Sequence, residues 1–509
     1  MTEEIKETVE EVEVVATDEQ PKLPENYKPL STGLKFFFGV GDFGFNLMSS
    51  VETYYFMFFL TNCALLDPAT AALVSTVGSV ADAIFGFLWG GVMNAIKPMK
   101  WGRYRSWLLF VPWIVPILFC LAFVPLGGDN TLLTAVLIIV FYVLAHAAWD
   151  FPYVANVTMI AVTGQTPDDR NHLASTRGMW SNASKILFGY LFPIVAMVGA
   201  NVVYGQNITD VGQQGFQPQM YCAFVALVFG ICFAALYNVH FFLTKGYEKE
   251  YTKEELANWK NEKKSDNSQN SFGDLMRAVF QNPNALVLVL ADMAKWIFNF
   301  TVGGISVYYF TYVAFDPGMN ALYITAANVA CVIGAWAGMP LAKLLKSTKM
   351  AVITGFVVIV VGCLAAWAFS RDMMMVVVFM AIAQGGYGLV YADIAAMYSD
   401  CVVYSEWKTG KNSAGLISGL QLIPLKIGFF ARGVIIPALL GMAGFVAGMS
   451  PDPNATALMD GICNCFFIVP AALCVVSILI LIFGYKLNNA SLMQYQKEID
   501  ERKKAEEAA

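Results

Sequence analysis

The chain predicts an all-α membrane protein with twelve transmembrane helices in two six-helix bundles, and three observations carry that prediction. Apolar residues make up 57% of the 509 positions and charged residues 14%, with a mean hydropathy of +0.56, outside the soluble norm. Crossing ~30 Å of hydrocarbon takes ~20 apolar residues, and twelve segments meet that length. Of the 32 Lys and Arg residues, Arg371 alone falls in the connections on one side, so the positive-inside rule places the other side in the cytoplasm.

The elements follow in chain order. Residues 1–30 form a cytoplasmic tail; its acidic head, Met1 to Gln20, has little apolar content and no signal-peptide pattern and reads as disordered. The N-terminal bundle, 31–244, holds spans near 34–60, 69–96, 105–125, 131–162, 173–200 and 218–244. Lys97, Lys100, Arg103 and Arg105 lie in its first inner connection. A hydrophilic central loop, 245–282, divides the spans six and six, and Thr252 with Glu255 reads as a capping box opening a short helix there. The C-terminal bundle, 283–485, holds spans near 283–313, 320–345, 349–369, 373–402, 413–447 and 458–485. Lys343, Lys346, Lys349, Lys408 and Lys411 fall in its inner connections. A charged cytoplasmic tail, 486–509, closes the chain. An even number of spans puts both termini in the cytoplasm of a multi-pass cell-membrane protein.

The halves echo each other: Gly86-x3-Gly90 before Lys97 and Lys100 matches Gly334-x3-Gly338 before Lys343 and Lys346. Together with the six-plus-six layout this favours the major facilitator fold, in which a substrate sits near mid-membrane between two bundles that rock against each other. Ten cysteines make no metal or disulfide framework. Asn207-x-Thr209 and Asn454-x-Thr456 face outward as glycosylation acceptors if the chain passes a eukaryotic secretory pathway.

Ionisable residues inside spans cost ~2.5–3.5 kcal/mol each at mid-bilayer on insertion scales, so each needs a partner or a task. They are Asp42 and Glu52 in span 1, Asp82 in span 2, His146 and Asp150 in span 4, Arg177 and Lys185 in span 5, Asp292 and Lys295 in span 7, Asp393 in span 10, and Lys426 and Arg432 in span 11. Asp42, Asn46, Ser49 and Thr53 recur within one ~60° stripe of a helix, which implies a wet cavity. Glu52 lies ~80° off that stripe and reads equally as reaching outside water or lining the cavity. Asp82 has no basic neighbour on its own helix and must be protonated, bind a cation or pair across helices. By helical rise it can meet Lys426 near one depth, ~20 Å in. His146 and Asp150, at i and i+4, suit a proton relay or half of a metal site. Asp292 and Lys295, at i and i+3, read as a structural pair. Trp149, Tyr153, Trp180 and Tyr391 offer flat faces for stacking on a sugar ring.

From about residue 30 to 490 the chain resembles the glycoside-pentoside-hexuronide:cation symporters, the melibiose permease family. The resemblance rests on Gly39-Val40-Gly41-Asp42-Phe43-Gly44 with Asn46-Leu47, on Asp82-Ala83-Ile84, and on Lys100-Trp101-Gly102-Arg103-Tyr104-Arg105 with Trp107-Leu108. It continues through Asp150-Phe151-Pro152, Tyr308 to Val313, and Asp400-x3-Tyr404-x-Glu406-Trp407-Lys408-Thr409-Gly410-Lys411 followed by Lys426. It implies a Na+-, Li+- or H+-coupled carrier of small glycosides. Carried over by position, Asp150, Arg177 and Lys426 fall at sugar-site or gating positions and Asp82 at the first cation-site carboxylate.

This chain departs from that pattern at Gly86, where the second cation-site carboxylate is missing, at Asn46, where a sugar-binding Asp is usual, and at Val403, which replaces an acidic residue. The expected substrate site is therefore Asp42, Asn46, Trp149, Asp150, Tyr153, Arg177 and Lys426, and the expected coupling site Asp82, Asp150 and His146, with H+ preferred over Na+. Arg103, Arg105, Asp400, Tyr404, Glu406 and Lys408 are the expected cytoplasmic gate. The alternatives are an uncoupled facilitator or exchanger, or a carrier of a non-sugar organic solute. With three histidines, no nucleophile paired with a base, no phosphate loop and no metal cluster, the chain does not read as an enzyme. The expected partners are a small sugar or related solute and the lipid bilayer, with no nucleic acid, no obligate protein partner and no cofactor beyond a coupling cation.

Overall fold

In hydrocarbon no water satisfies backbone N–H and C=O groups, so an apolar run must bond within itself as a helix. The computed structural model describes residues 27–257 except Gln214, then 282–409, 417 and 419–507. The acidic head, most of the central loop, and Gly410 and Lys411 lie outside the described residues. Two segments come first: α1 (Val40–Phe58) and α2 (Pro68–Ala95). Then follow the broken α3 (Trp107–Leu121), α4 (Thr131–Thr163), α5 (Pro167–Tyr204) and α6 (Cys222–Leu243). The second half contains α7 (Pro283–Tyr308), α8 (Met319–Leu344), α9 (Thr348–Ala368), α10 (Met373–Thr409), α11 (Leu422–Met442) and α12 (Thr456–Gly484). Ten helices among the described residues are long and apolar enough to cross a membrane, and α1 and α3 complete the expected set.

Local chemistry sets the ends. Asp67 accepts from the N–H groups of Ala69 and Thr70 and Pro68 opens α2. Thr166 and Asp169 form a capping box before α5, and Asn282 caps α7, each satisfying orphan N–H groups. Outside the membrane, the expected capping box also forms: Thr252 N donates to Glu255 (2.8 Å) and Glu255 N to the Thr252 hydroxyl (3.2 Å).

Two expectations are corrected. Span 1 is not one rod from residue 34: a short helix, Thr32–Phe37, ends before Gly39. A Cβ at Gly39 would sit 2.6 Å from the Thr176 carbonyl, so glycine lets the chain turn hard against α5. Span 3 is also discontinuous, helical at Trp107–Phe110, 3-10 at Val111–Trp113 and helical again at Val115–Leu121. Pro112 and Pro116 each remove a backbone donor and crowd the preceding turn.

The internal repeat is deeper than its glycines indicate. α1 and α7 both finish in a π-turn, Phe59–Cys63 and Tyr309–Val313, followed by a left-handed residue, Leu65 (φ 53°) and Phe315 (φ 56°). Matching bonds run from Leu66 N to Leu60 O and from Asp316 N to Phe310 O. Across the seam between bundles α1 meets α7, α2 meets α11 and α5 meets α8, as a pseudo-two-fold requires.

Within the second bundle, α8 and α10 touch backbone to backbone. A Cβ at Gly334 would stand 1.9 Å from the Gly385 carbonyl, and one at Gly388 would stand 1.9 Å from the Cys331 carbonyl. Small residues are what allow this approach in a membrane. Gly388→Ala is expected to force the helices apart and destabilise the protein by about 1–3 kcal/mol, read as a fall of several degrees in the unfolding midpoint of purified protein. An unchanged midpoint would mean that the contact is not tight.

Candidate functional site

Between the bundles lies a cavity of ≈ 610 Å³, within the ~300–1,000 Å³ of small-molecule sites. The polar stripe of α1 faces it: Asp42, Asn46, Ser49 and Thr53 all line it. Arg177 grips Asp42 with two donors, Nε at 2.6 Å and Nη2 onto the other oxygen, and Asn156 donates a third bond at 3.2 Å. Two-point guanidinium contacts of this kind are strong and directional. Asn46 donates to the Asp42 carbonyl (2.8 Å) and to Ser181 (3.1 Å). Trp149 and Tyr153 line the same wall, with Tyr153 stacked on Phe45 at 4.5 Å and Trp149 edge-on to His146 at 4.2 Å.

Deeper in, Asp82 pairs across the seam with Lys426, the meeting that helical rise allows. Gly86, one turn on, makes room for it: a Cβ there would lie 3.6 Å from the Lys426 ammonium. His146 contacts Asp82 through Nδ1 at 3.4 Å and lies 3.6 Å from Glu52 through Nε2, so its bond goes to a neighbouring helix rather than to Asp150. Asp150 Oδ2 is buried without a hydrogen-bond partner among the described residues. Asp82, His146 and Asp150 present ligand atoms all within 4.8 Å of one another, close enough for one small cation.

Glu52 does not reach water outside. It is 2% exposed, accepts a short bond from the Tyr142 hydroxyl and pairs with Arg432 at 3.4 Å. Arg432 also donates to the carbonyls of Glu52 (3.3 Å) and Thr53 (3.2 Å). The ~80° that separates Glu52 from the stripe is the direction of α4 and α11, which the sequence could not name. Asp292 and Lys295 form the expected pair at 2.6 Å, and both line the cavity as well. Tyr391 lines it too, whereas Trp180 spends its indole N–H on the Phe36 carbonyl at 2.7 Å.

The basic loops lie on one face of the bundles. There Arg105 pairs with Glu250 (2.9 Å) and with the Phe241 carbonyl (2.8 Å), and the N–H groups of Arg103, Tyr104 and Arg105 all donate to Glu248. Burial pushes the Glu248 carboxyl up, and those three donors oppose the shift. Tyr404 and Trp407 pack on Tyr495 of a last helix, α13 (Asn489–Glu507), and Lys408 sits over the Tyr404 ring at 5.8 Å. Asp400 adjoins the Tyr485 hydroxyl. The charges of the Arg103 to Arg105 loop thus engage the connection after α6 in their own half, and Tyr404 engages the C-terminal helix.

On the opposite face hydrogen bonds join the bundles. Tyr308 reaches Thr61 (2.6 Å) and Met57 O (2.9 Å), Tyr312 reaches Asn62, Asn320 reaches Tyr55 (3.1 Å), and Gly448 N reaches Thr61 O (3.0 Å).

Comparison with known proteins agrees with this geometry. A family model described as "MFS/sugar transport protein" matches residues 37–489. The chain is 24% identical to the isoprimeverose transporter of Lactiplantibacillus pentosus, over 86% of each chain. It is 24% identical to a putative sulfoquinovose importer of Salmonella typhimurium, over 94% of this chain and 96% of that one. The crystal structure of nucleoside transporter NupG superposes with a TM-score of 0.59 at 13% identity, covering 89% of this chain and 100% of that one, a likeness of fold.

Proposed function

The chain belongs to the MFS/sugar transport protein family, and on that premise we propose that it carries a small glycoside, pentoside or hexuronide through the membrane by alternating access, coupled to protons. It is a secondary transporter and not an enzyme. The observation that supports the mechanism best is the Asp82–Lys426 pair, one partner from each bundle, on the wall of the cavity. An ion pair between moving bodies is made in one state and exchanged in another, which is what coupling needs. In this reading the basic loops face the cytoplasm, the bonds around Tyr308 close the outer end, and the cavity communicates with the inside. Asn46, Trp149, Tyr153 and the Asp42–Arg177 pair hold the sugar.

Proton rather than sodium coupling follows from the oxygen count. Sodium prefers several oxygen ligands, and here Gly86 supplies none while the Lys426 ammonium already occupies Asp82. Asp150, with one unbonded buried oxygen, takes the proton. Addition of substrate to energy-depleted cells should acidify the interior, and Asp150→Asn should abolish that signal while exchange of labelled for unlabelled substrate continues. Strong sodium dependence without proton movement would overturn proton coupling. Gly86 also favours a second reading, an uncoupled facilitator, which fails if substrate accumulates against its gradient.

A further inference from the structure

Lys and Arg side chains line the cavity at Arg177, Lys185, Lys295 and Lys426. Three are neutralised inside the protein, by Asp42, Asp292 and Asp82 respectively. Lys185, half-buried on α5, has no carboxylate and no hydrogen-bond partner among the described residues. The titratable neighbour whose charge acts on it is Cys331, on α8 of the other bundle. A lysine at this depth is costly unless it meets water or a counter-charge, and four carboxylates of the site are already taken, since Glu52 pairs with Arg432.

The surroundings of Lys185 are those of a binding wall. Gly178, Ser181, Asn182 and Lys185 lie at spacings of three, four and seven on one face of α5, and all four line the cavity. A Cβ at Gly178 would meet nothing within 4 Å, so the space beside this face is open. Asn328 and Gln384 line the cavity from the second bundle. Along α5, Lys185 stands eight residues, ~12 Å, from Arg177, so a glycoside held at Asp42 and Arg177 spans the distance to it.

We propose that Lys185 is the subsite for an anionic group, and that the carrier's substrate is a monoanionic sugar bearing a carboxylate or a sulfonate. The inference rests on the sugar-carrier reading above and narrows it. It also explains a balance of charge. Of the five carboxylates Asp42, Glu52, Asp82, Asp150 and Asp292, only Asp150 has no ion pair among the described residues, and of the five Lys and Arg side chains only Lys185 has none. Around Asp150 stand Asp82 on α2, Lys426 on α11, His146 one turn back on α4, and Glu52 on α1. With Asp150 ionised the empty site is neutral against Lys185; with a proton on Asp150 and an anion at Lys185 the loaded site is neutral again. One proton therefore accompanies one anion, and no bond is made or broken.

The test uses purified full-length protein and two matched pairs of probes: methyl β-D-glucoside with methyl β-D-glucuronide, and glucose with sulfoquinovose. Dissociation constants are read from the rise in unfolding midpoint with probe concentration. Wild-type protein should bind the acid of at least one pair at least tenfold more tightly than its neutral partner. Lys185→Gln should weaken that acid by about tenfold or more, the scale of one hydrogen bond to a charged group, and leave neutral probes unchanged. Lys185→Arg should keep the preference. Wild-type affinity that ignores the charge, or a preference that survives Lys185→Gln, overturns the anion subsite and leaves the sugar carrier standing. No shift by any of the four probes overturns the sugar reading and this inference together. The wild-type ratio of acid to neutral affinity needs no variant and decides the matter alone if Lys185→Gln does not fold.

Discussion

Lys426→Ala is expected to abolish accumulation of substrate, by about 100-fold or more, while the protein still inserts and folds. The ammonium neutralises Asp82 from the opposite bundle and lies beside the space left by Gly86. Removing it leaves Asp82 with His146 as its remaining bonded neighbour, and truncating one partner of a buried charge pair costs about 2–5 kcal/mol, enough for the loss at 1.4 kcal/mol per tenfold. The carboxylate then takes up a proton or binds a cation from solution, and the two bundles lose the contact that reports on occupancy. The measurement is uptake of labelled substrate against a gradient beside exchange at equal concentrations, with the amount of membrane protein quantified. Wild-type accumulation in the variant would refute the coupling scheme. Adding Asp82→Asn removes the orphaned charge and should restore exchange without restoring accumulation.

Arg432→Ala is expected to be the most destabilising single change in the seam, by about 3–5 kcal/mol, because it strands Glu52 as a buried charge. Arg432 is 2% exposed and Glu52 2%, so water does not take over the pairing. The same guanidinium donates to the carbonyls of Glu52 and Thr53 and so ties α11 to α1 near the closed end of the cavity. Two readouts follow. The unfolding midpoint should fall sharply, and a cysteine placed at Thr53 should become accessible to reagents from the face that is closed here. Glu52→Gln in the same chain should recover part of the stability, since a neutral amide can keep the Tyr142 bond without an orphaned charge. If the double variant is no more stable than Arg432→Ala alone, the pair does not carry that stability.

Much of the fold was legible in the sequence because a bilayer imposes one-dimensional rules. Spans α2 and α4 to α10 begin and end close to where apolar length and caps place them, since each must satisfy its own backbone. The failures were local: Pro112 and Pro116 break α3, and Gly39 turns the chain before α1, where a short-range steric demand overrides an unbroken apolar pattern. At the site, the stripe Asp42, Asn46, Ser49 and Thr53 was legible from helical period alone. Asp82 with Lys426 was legible from depth, because two straight helices that cross the same slab bring equal rises to equal heights.

What tertiary structure decided was azimuth. Sequence puts Glu52, His146, Asp150, Lys185 and Arg432 in the membrane and demands that each find a partner, but it does not say which helix stands beside which. Packing α1 against α4 and α11 assigned Glu52 to Tyr142 and Arg432 rather than to water. Packing α2 against α4 gave His146 to Asp82 rather than to its own helical neighbour Asp150. The same arrangement left Asp150 and Lys185 without ion pairs. The cost of burying a charge is a property of one residue and can be read along the chain; the choice of its counter-charge depends on how twelve helices rotate about their axes, and only the assembled bundles fix that.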